Sequence, residues 1–166
     1  SMRDLVRNCL RKRPERIIVG EVRSGEALDM VQSMISGHAG SLTTVHATTP
    51  RDALIRLETL SLMSEVDLPV YVARAQVASA INLVVQLSRY SEDGSRKISR
   101  ITEACGMDAD NNYIFRDIYV SRIKGRTPQG RLIADLAPVG ETPSFAAELS
   151  EYGLENMIHH TADLWN

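Results

Sequence analysis

The chain has 166 residues, 43% of them hydrophobic and 24% charged, with a net charge of −2. That length supports one ordinary domain burying roughly 70% of its unfolded surface, and the near-neutral charge excludes a dedicated nucleic-acid binder, which carries a strong basic excess. Two isolated cysteines, Cys9 and Cys105, form no CxxC pair, fit a reducing cytosol and say nothing of a disulfide framework, while no apolar run approaches the roughly 18–20 residues of a membrane span.

Residues 3–12 set Leu5, Val6, Cys9 and Leu10 on one helical face and Arg3, Arg7 and Arg11 on another. Pro14 closes that helix. Ile17-Ile18-Val19 then forms a short continuous apolar run, the pattern of a strand buried on both faces. Gly20 allows a turn, and Glu21 stands at the carboxyl end of the strand, where open α/β sheets bind ligands. Gly25 to Ser36 reads as a helix with Ala27, Leu28, Val31, Met34 and Ile35 inward and Gly37 past its end. Ser41–Val45 is a β-branched strand finishing at His46. Thr49-Pro50 opens the next helix by N-cap and first-turn proline, with Leu54, Leu57 and Leu60 as its stripe.

Pro69 starts a further helix with Val70, Ala73, Val77, Ala80 and Ile81 inward, running into a strand over Leu83–Leu87. Residues 96–104 and 113–120 read as two strands joined by a turn-rich segment from Gly106 to Asn112, which predicts a hairpin. Two short helical patterns follow, Ser144–Tyr152 and Leu154–Leu164. The expected class is α/β, parallel strands first and an antiparallel extension behind them. Charge is uneven along this order. Residues 1–23 hold seven Lys/Arg against three acids, and beyond Arg131 there are six acids and no Lys or Arg. Uneven solvated faces explain this, as does a basic surface that meets an acidic one.

A carboxylate emerging from a buried strand is costly unless paired or used. Glu21 can therefore polarise an attacking water or hold a metal-bound one, with Arg23 answering the acid or a phosphate; a structural ion pair satisfies it equally. His46 ends a polar strand, and His38 lies between Gly37 and Gly40 in the preceding turn. Histidine can donate to a phosphate and report its presence, and the hydroxyls of Thr43, Thr44 and Thr48 add donors nearby. Arg51 and Arg56 fall on the solvent side of the next helix. A phosphate cradle of the GxxxxGK[ST] type is missing: Gly20 and Gly25 have the right separation, but Glu26-Ala27 stands where Lys-Ser/Thr is needed.

RIIVGEVRSGEALDM, followed by GHAGSLTTVHATTPRDALIRLE, resembles the Walker B motif and histidine box of the secretion and pilus-assembly ATPases. This superfamily powers type II and type IV secretion and type IV pili. The strand-rich stretch from Arg74 to Val120 is similar to the end of that ATPase core, and the likeness runs from residue 3 to about 150. It lies nearest to the CpaF/TadA-type ATPases of Tad (Flp) pili. The resemblance implies a partial RecA-like core over residues 1–150 with a helical tail at 151–166. In that family Glu21 would be the Walker B glutamate, linked to magnesium through water, and His46 the histidine-box residue near the γ-phosphate. His38 would be its companion, with Arg23 and Thr44 beside the nucleotide.

The resemblance further implies ATP and magnesium as cofactors and a homo-hexamer on the cytoplasmic face of the inner membrane. Membrane platform proteins of the system would be its partners, and nucleic acid would not. The chain is expected to be the C-terminal part of such an ATPase, to leave apolar edges exposed, and to be inactive alone because the cradle is absent. Two alternatives remain: a non-catalytic assembly module, and an ATPase of conjugation or effector secretion.

Overall fold

A computed structural model describes residues 1–154; the helical pattern expected at Leu154–Leu164 lies outside them apart from its first residue. The chain forms two compact units. The first comprises residues 1–82 with 106–113, and the second residues 83–105 with 114 onward.

In the first unit, α1 (Met2–Leu10) starts at a capping box: the Ser1 hydroxyl accepts from Asp4 N, and the Asp4 carboxylate accepts from the Ser1 amine. Val6 is buried, but Leu5 and Cys9 are exposed, so the expected apolar face is narrower than its spacing suggests. Charge also fastens this helix. Arg3 Nε lies 2.8 Å and Arg7 Nε 3.2 Å from the Asp29 carboxylate of α2 (Glu26–Ile35). Two of the arginines that looked like a free basic face are thus used within the chain.

β1 (Ile18–Val19) pairs in parallel with β2 (Leu42–Thr43), Ile18 opposite Leu42. Both strands are shorter than expected. Ile17 and Val19 are buried, yet Ile18 is 74% and Leu42 60% exposed. The run of three aliphatics is therefore buried on one face only, and an apolar pair on the other face meets solvent.

α2 buries Ala27, Leu28, Met30, Val31 and Ser33. Its inward arc is rotated from the expected one, with Ile35 outside. Gly25 at its start is required by contact: a Cβ there would lie 2.7 Å from Ser64 Cα. Gly37 takes φ +111°, a left-handed geometry suited to the end of a helix.

α3 (Pro50–Leu62) begins as its sequence dictates, the Thr49 hydroxyl accepting from Asp52 N at 3.1 Å with proline in the first turn. It buries Leu54, Leu57 and Leu60, and also Glu58. α4 (Val70–Ala80) packs Ala73, Val77 and Ala80 inward and leaves Val70 exposed. Arg74 of α4 grips Glu58 in a fork, Nε and Nη2 each 3.0 Å from a carboxylate oxygen. The Tyr113 hydroxyl donates to the same carboxylate at 3.1 Å. Burial and the neighbouring Glu58 charge push the Tyr113 hydroxyl well above the ordinary tyrosine range, so it stays a donor.

The second unit is a four-stranded sheet in the order β3 (Leu83–Arg89), β4 (Arg96–Met107), β5 (Tyr113–Arg126) and β6 (Leu132–Pro138); the ends of β4 and β5 at the hairpin tip belong to the first unit. β3 and β4 run antiparallel with Val85 opposite Ile101 and a bulge after Gln86. The expected hairpin is present. β5 extends beyond its expected end, and β6 was not foreseen. In the buried part of this sheet Glu103 accepts from Ser144 N at 2.9 Å and from the Ser144 hydroxyl, anchoring the 3₁₀ turn Ser144–Ala147 that leads into α5 (Glu148–Glu151).

Replacing Glu58 by Ala should destabilise the chain by about 2 kcal/mol. That is less than a fully buried pair costs, because Arg74 can reach solvent. Tyr113→Phe should cost about 1 kcal/mol, the worth of one hydrogen bond. Urea denaturation measures both, and equal, negligible losses would mean the carboxylate is not held as described.

Candidate active site

The parallel ladder fixes the site. Beyond Val19 the pairing continues through two contacts: Val22 N donates to Thr44 O at 3.1 Å, and the Thr44 hydroxyl donates to Gly20 O at 2.6 Å. These bonds hold the ends of the two strands together, with Glu21 on one and His46 just past the other.

The Glu21 carboxylate has a partner on each oxygen. Arg23 Nε donates to Oε2 at 2.7 Å, and His46 Nε2 lies 3.0 Å from Oε1. The Glu21 side chain is 20% exposed, whereas His46 is 92% exposed and its ring reaches into solvent. The hydrogen bond from Arg23 holds the Glu21 carboxyl below its ordinary value of 4.5; partial desolvation opposes this, and the Arg23 and His46 charges reinforce it. Arg23 is shifted upward in return. Glu21, Val22, Arg23, Val45, His46 and Arg56 line an open cleft of about 260 Å³.

Three of the residues expected from the sequence thus come together: Glu21, Arg23 and His46. Thr44 is adjacent, but its hydroxyl hydrogen is committed to the Gly20 carbonyl, so its visible part is to set the backbone. His38 does not line the cleft; its backbone N–H donates to Ser33 O and its carbonyl accepts from the Ser41 hydroxyl. Arg56 is the residue sequence reasoning placed elsewhere. It lines the cleft, and no hydrogen bond or ion pair engages its side chain among the described residues. The available signal was its position: ten residues past His46, one turn and a half into a helix that starts beside the site.

Chemically, the cleft presents one ionised carboxylate and cations on either side of it. Such an arrangement can order a water and attract an anion, but it has no nest of backbone N–H groups to wrap a triphosphate. Glu21 is the sole acid lining it, and no cluster of three or more His, Cys, Asp or Glu suited to a metal occurs among the described residues. With both carboxylate oxygens engaged, Glu21 fits a divalent cation through an intervening water better than by direct ligation.

The Type II/IV secretion system protein family matches residues 1–146. The chain belongs to that family. Conjugal transfer protein TrbB of Rhizobium radiobacter is 33% identical over 124 residues, covering 75% of this chain and 36% of the relative. Type IV secretion system protein PtlH of Bordetella pertussis is 41% identical over 100 residues, 58% of this chain and 29% of the relative. Among solved structures, the VirB11 ATPase of the Brucella suis type IV secretion system, in complex with sulphate, superposes with a TM-score of 0.57 at 34% identity. That match covers 61% of this chain and 31% of the other. The chain therefore spans about a third of the length of the curated relatives it matches, and its fold is a partial RecA-like core.

The Glu21 interaction has a definite pH dependence. Because its carboxyl is held below 4.5, the contact with Arg23 is fully present above that pH and is lost as pH falls through the lowered value. A ¹³C titration of the Glu21 carboxyl should give a midpoint below that of a free glutamate, and Arg23→Gln should raise it. An unchanged midpoint in the variant would place the cause elsewhere.

Proposed function

We propose that this chain is the C-terminal part of an ATP-hydrolysing motor of a type II/IV secretion system. Residues 1–150 would belong to the ATPase core and 151–166 to a tail. The observation that carries the reading is the Glu21–Arg23–His46 cluster at the paired ends of two parallel strands, in a member of this family. Bound magnesium would supply charge neutralisation at the phosphates. The residues of this chain have different tasks. Glu21 accepts a hydrogen bond from the attacking water and fixes its direction. A carboxylate with a lowered pKa is a weak base, which suits a loose phosphoryl-transfer transition state in which orientation matters more than early proton removal. His46, exposed beside it, donates to the γ-phosphate and trades that contact against Glu21. Arg23 and Arg56 balance the charge that develops on the phosphoryl oxygens.

Each Glu21 oxygen keeps an acceptor site beyond its contact with Arg23 or His46, and a water can take it from the cleft. A phosphate that engages Arg23 or His46 loosens their hold on Glu21. The GxxxxGK[ST] cradle must come from polypeptide outside these 166 residues, so this chain alone neither hydrolyses ATP nor binds it tightly. The working form is a homo-hexamer at the cytoplasmic face of the inner membrane, docked on platform proteins. No helix of the described residues is long and apolar enough to cross a membrane. The names of the relatives favour type IV secretion or conjugal transfer, while the resemblance of the C-terminal half favours a Tad (Flp) pilus.

In a protein extended to include the cradle, Glu21→Gln should leave ATP binding intact and lower turnover by roughly 10²–10⁴-fold. A phosphate-release assay measures this, and retained turnover would move the water-orienting role to another residue. Arg56→Ala in the same protein should lower turnover by about tenfold or more, as loss of one charge-assisted contact implies. An unaltered rate would return Arg56 to the solvated surface.

A further inference from the structure

Seven of the 19 Lys and Arg side chains are held by carboxylates. Arg3, Arg7, Arg23, Arg74, Arg100, Arg116 and Lys124 each lie within 4.0 Å of a carboxylate. At one end of the four-stranded sheet several cations without a carboxylate partner are gathered. The β3–β4 turn and the β5–β6 turn meet there, because Asp93 Oδ2 accepts from Leu132 N at 2.8 Å while Oδ1 accepts from Ser95 N at 2.9 Å. Arg89, Arg96 and Lys97 flank the first turn, Arg126 and Arg131 the second. No hydrogen bond or ion pair engages any of these five side chains among the described residues. Against them stand Glu92 and Asp93, a local charge of +3 in a chain whose total is −2.

Between the turns lies a cleft of about 340 Å³ lined by Asp93, Gly94, Ser95, Lys97, Arg131 and Leu132. Its one acid, Asp93, stays ionised, and its oxygens are turned onto the main chain of the two turns. Both oxygens of Asp93 are taken by backbone N–H groups, and its carboxyl is held down to about 2 by the Ser95 side chain and then by the Leu132 and Ser95 amides. Asp93 therefore serves as the tie that brings Lys97 and Arg131 to the same cleft. Five like charges at one sheet end repel one another and cost stability unless a counter-charge is bound.

We propose that this cleft is a binding site for a phosphate group, held by Lys97 and Arg131. The site is separate in sequence and in residues from the Glu21 cleft and does not depend on the ATPase reading. The phosphate belongs either to a soluble phosphate ester or to an anionic lipid headgroup.

The test uses the full 166-residue chain, labelled with ¹⁵N and titrated with inorganic phosphate at constant ionic strength, chloride being the control. Saturable amide shifts at Gly94–Lys97 and Arg131–Leu132 are expected. In Lys97→Gln/Arg131→Gln the affinity should fall about tenfold or more, since two charge-assisted contacts are lost; the amide spectrum itself reports whether that variant is folded. Flotation with phosphatidylglycerol-containing vesicles, against pure phosphatidylcholine, separates the sources. Binding that is competed by phosphate and lost in the variant assigns a headgroup; a phosphate response without vesicle binding assigns a soluble ester. Shifts no greater than with chloride, or an affinity unchanged in the folded variant, would overturn the proposal. So would binding of a DNA duplex at these residues without any response to inorganic phosphate.

Discussion

Glu58 lies in the helical core of the first unit, and its surroundings are arranged to satisfy its carboxylate with hydrogen bonds. A carboxylate with only 6% of its residue surface exposed is expensive in an apolar interior. Here the cost is met by the two-pronged contact from Arg74 and by the Tyr113 hydroxyl. Because Glu58 stands on α3 and its partners on α4 and at the start of β5, satisfying one acid specifies how these three segments must meet. The aliphatic stripe of α3 supplies most of the burial energy but would tolerate rotation or sliding. The carboxylate does not. It sets the rotation of α3, and with it the placement of Arg56, two residues earlier on the same helix.

Much of this was legible in the residues. Thr49-Pro50 announces a helix start for reasons internal to four residues, and the structure forms it there. The alternation between aliphatic runs and helical stripes predicts parallel strands followed by an antiparallel extension, and both are present. What escaped depends on neighbours distant in sequence. Ile17-Ile18-Val19 reads as a doubly buried strand because an apolar run carries no record of whether covering elements lie in the same chain; Ile18 faces solvent. The partnership of Arg3 and Arg7 with Asp29 is tertiary and leaves no periodic trace. β6 was missed because Leu132–Pro138 is short, carries Asp135 and ends in proline, and so resembles a loop. Glu58 did leave a signal: it falls four residues after Leu54 and three before Ser61 on the apolar side of α3, where a charged side chain demands a partner.

At the site, the chain brings together one acid and two arginines, with a histidine beside them. Sequence spacing alone could place Glu21 at a strand end and His46 at another; it could not say that the two would touch. That follows from the parallel register of β1 and β2, fixed by Ile18 opposite Leu42 and Val19 opposite Thr43. His38 shows the converse. It shares the glycine-flanked segment with the strand leading to His46, yet its backbone bonds tie it to the end of α2 and to Ser41, so proximity in sequence does not become proximity in the cleft.

The hydroxyl of Thr44 on the Gly20 carbonyl has a mechanical meaning. Together with the Val22–Thr44 bond it clamps the backbone on both sides of Glu21 to the strand that carries His46. A displacement of either strand is then carried to the other through the main chain, as in two links riveted at one joint. Any force that draws the histidine toward a ligand also pulls on the peptide units holding the glutamate. Sensing and water positioning would share one moving part, and their timing would be set by a threonine that need not touch the ligand.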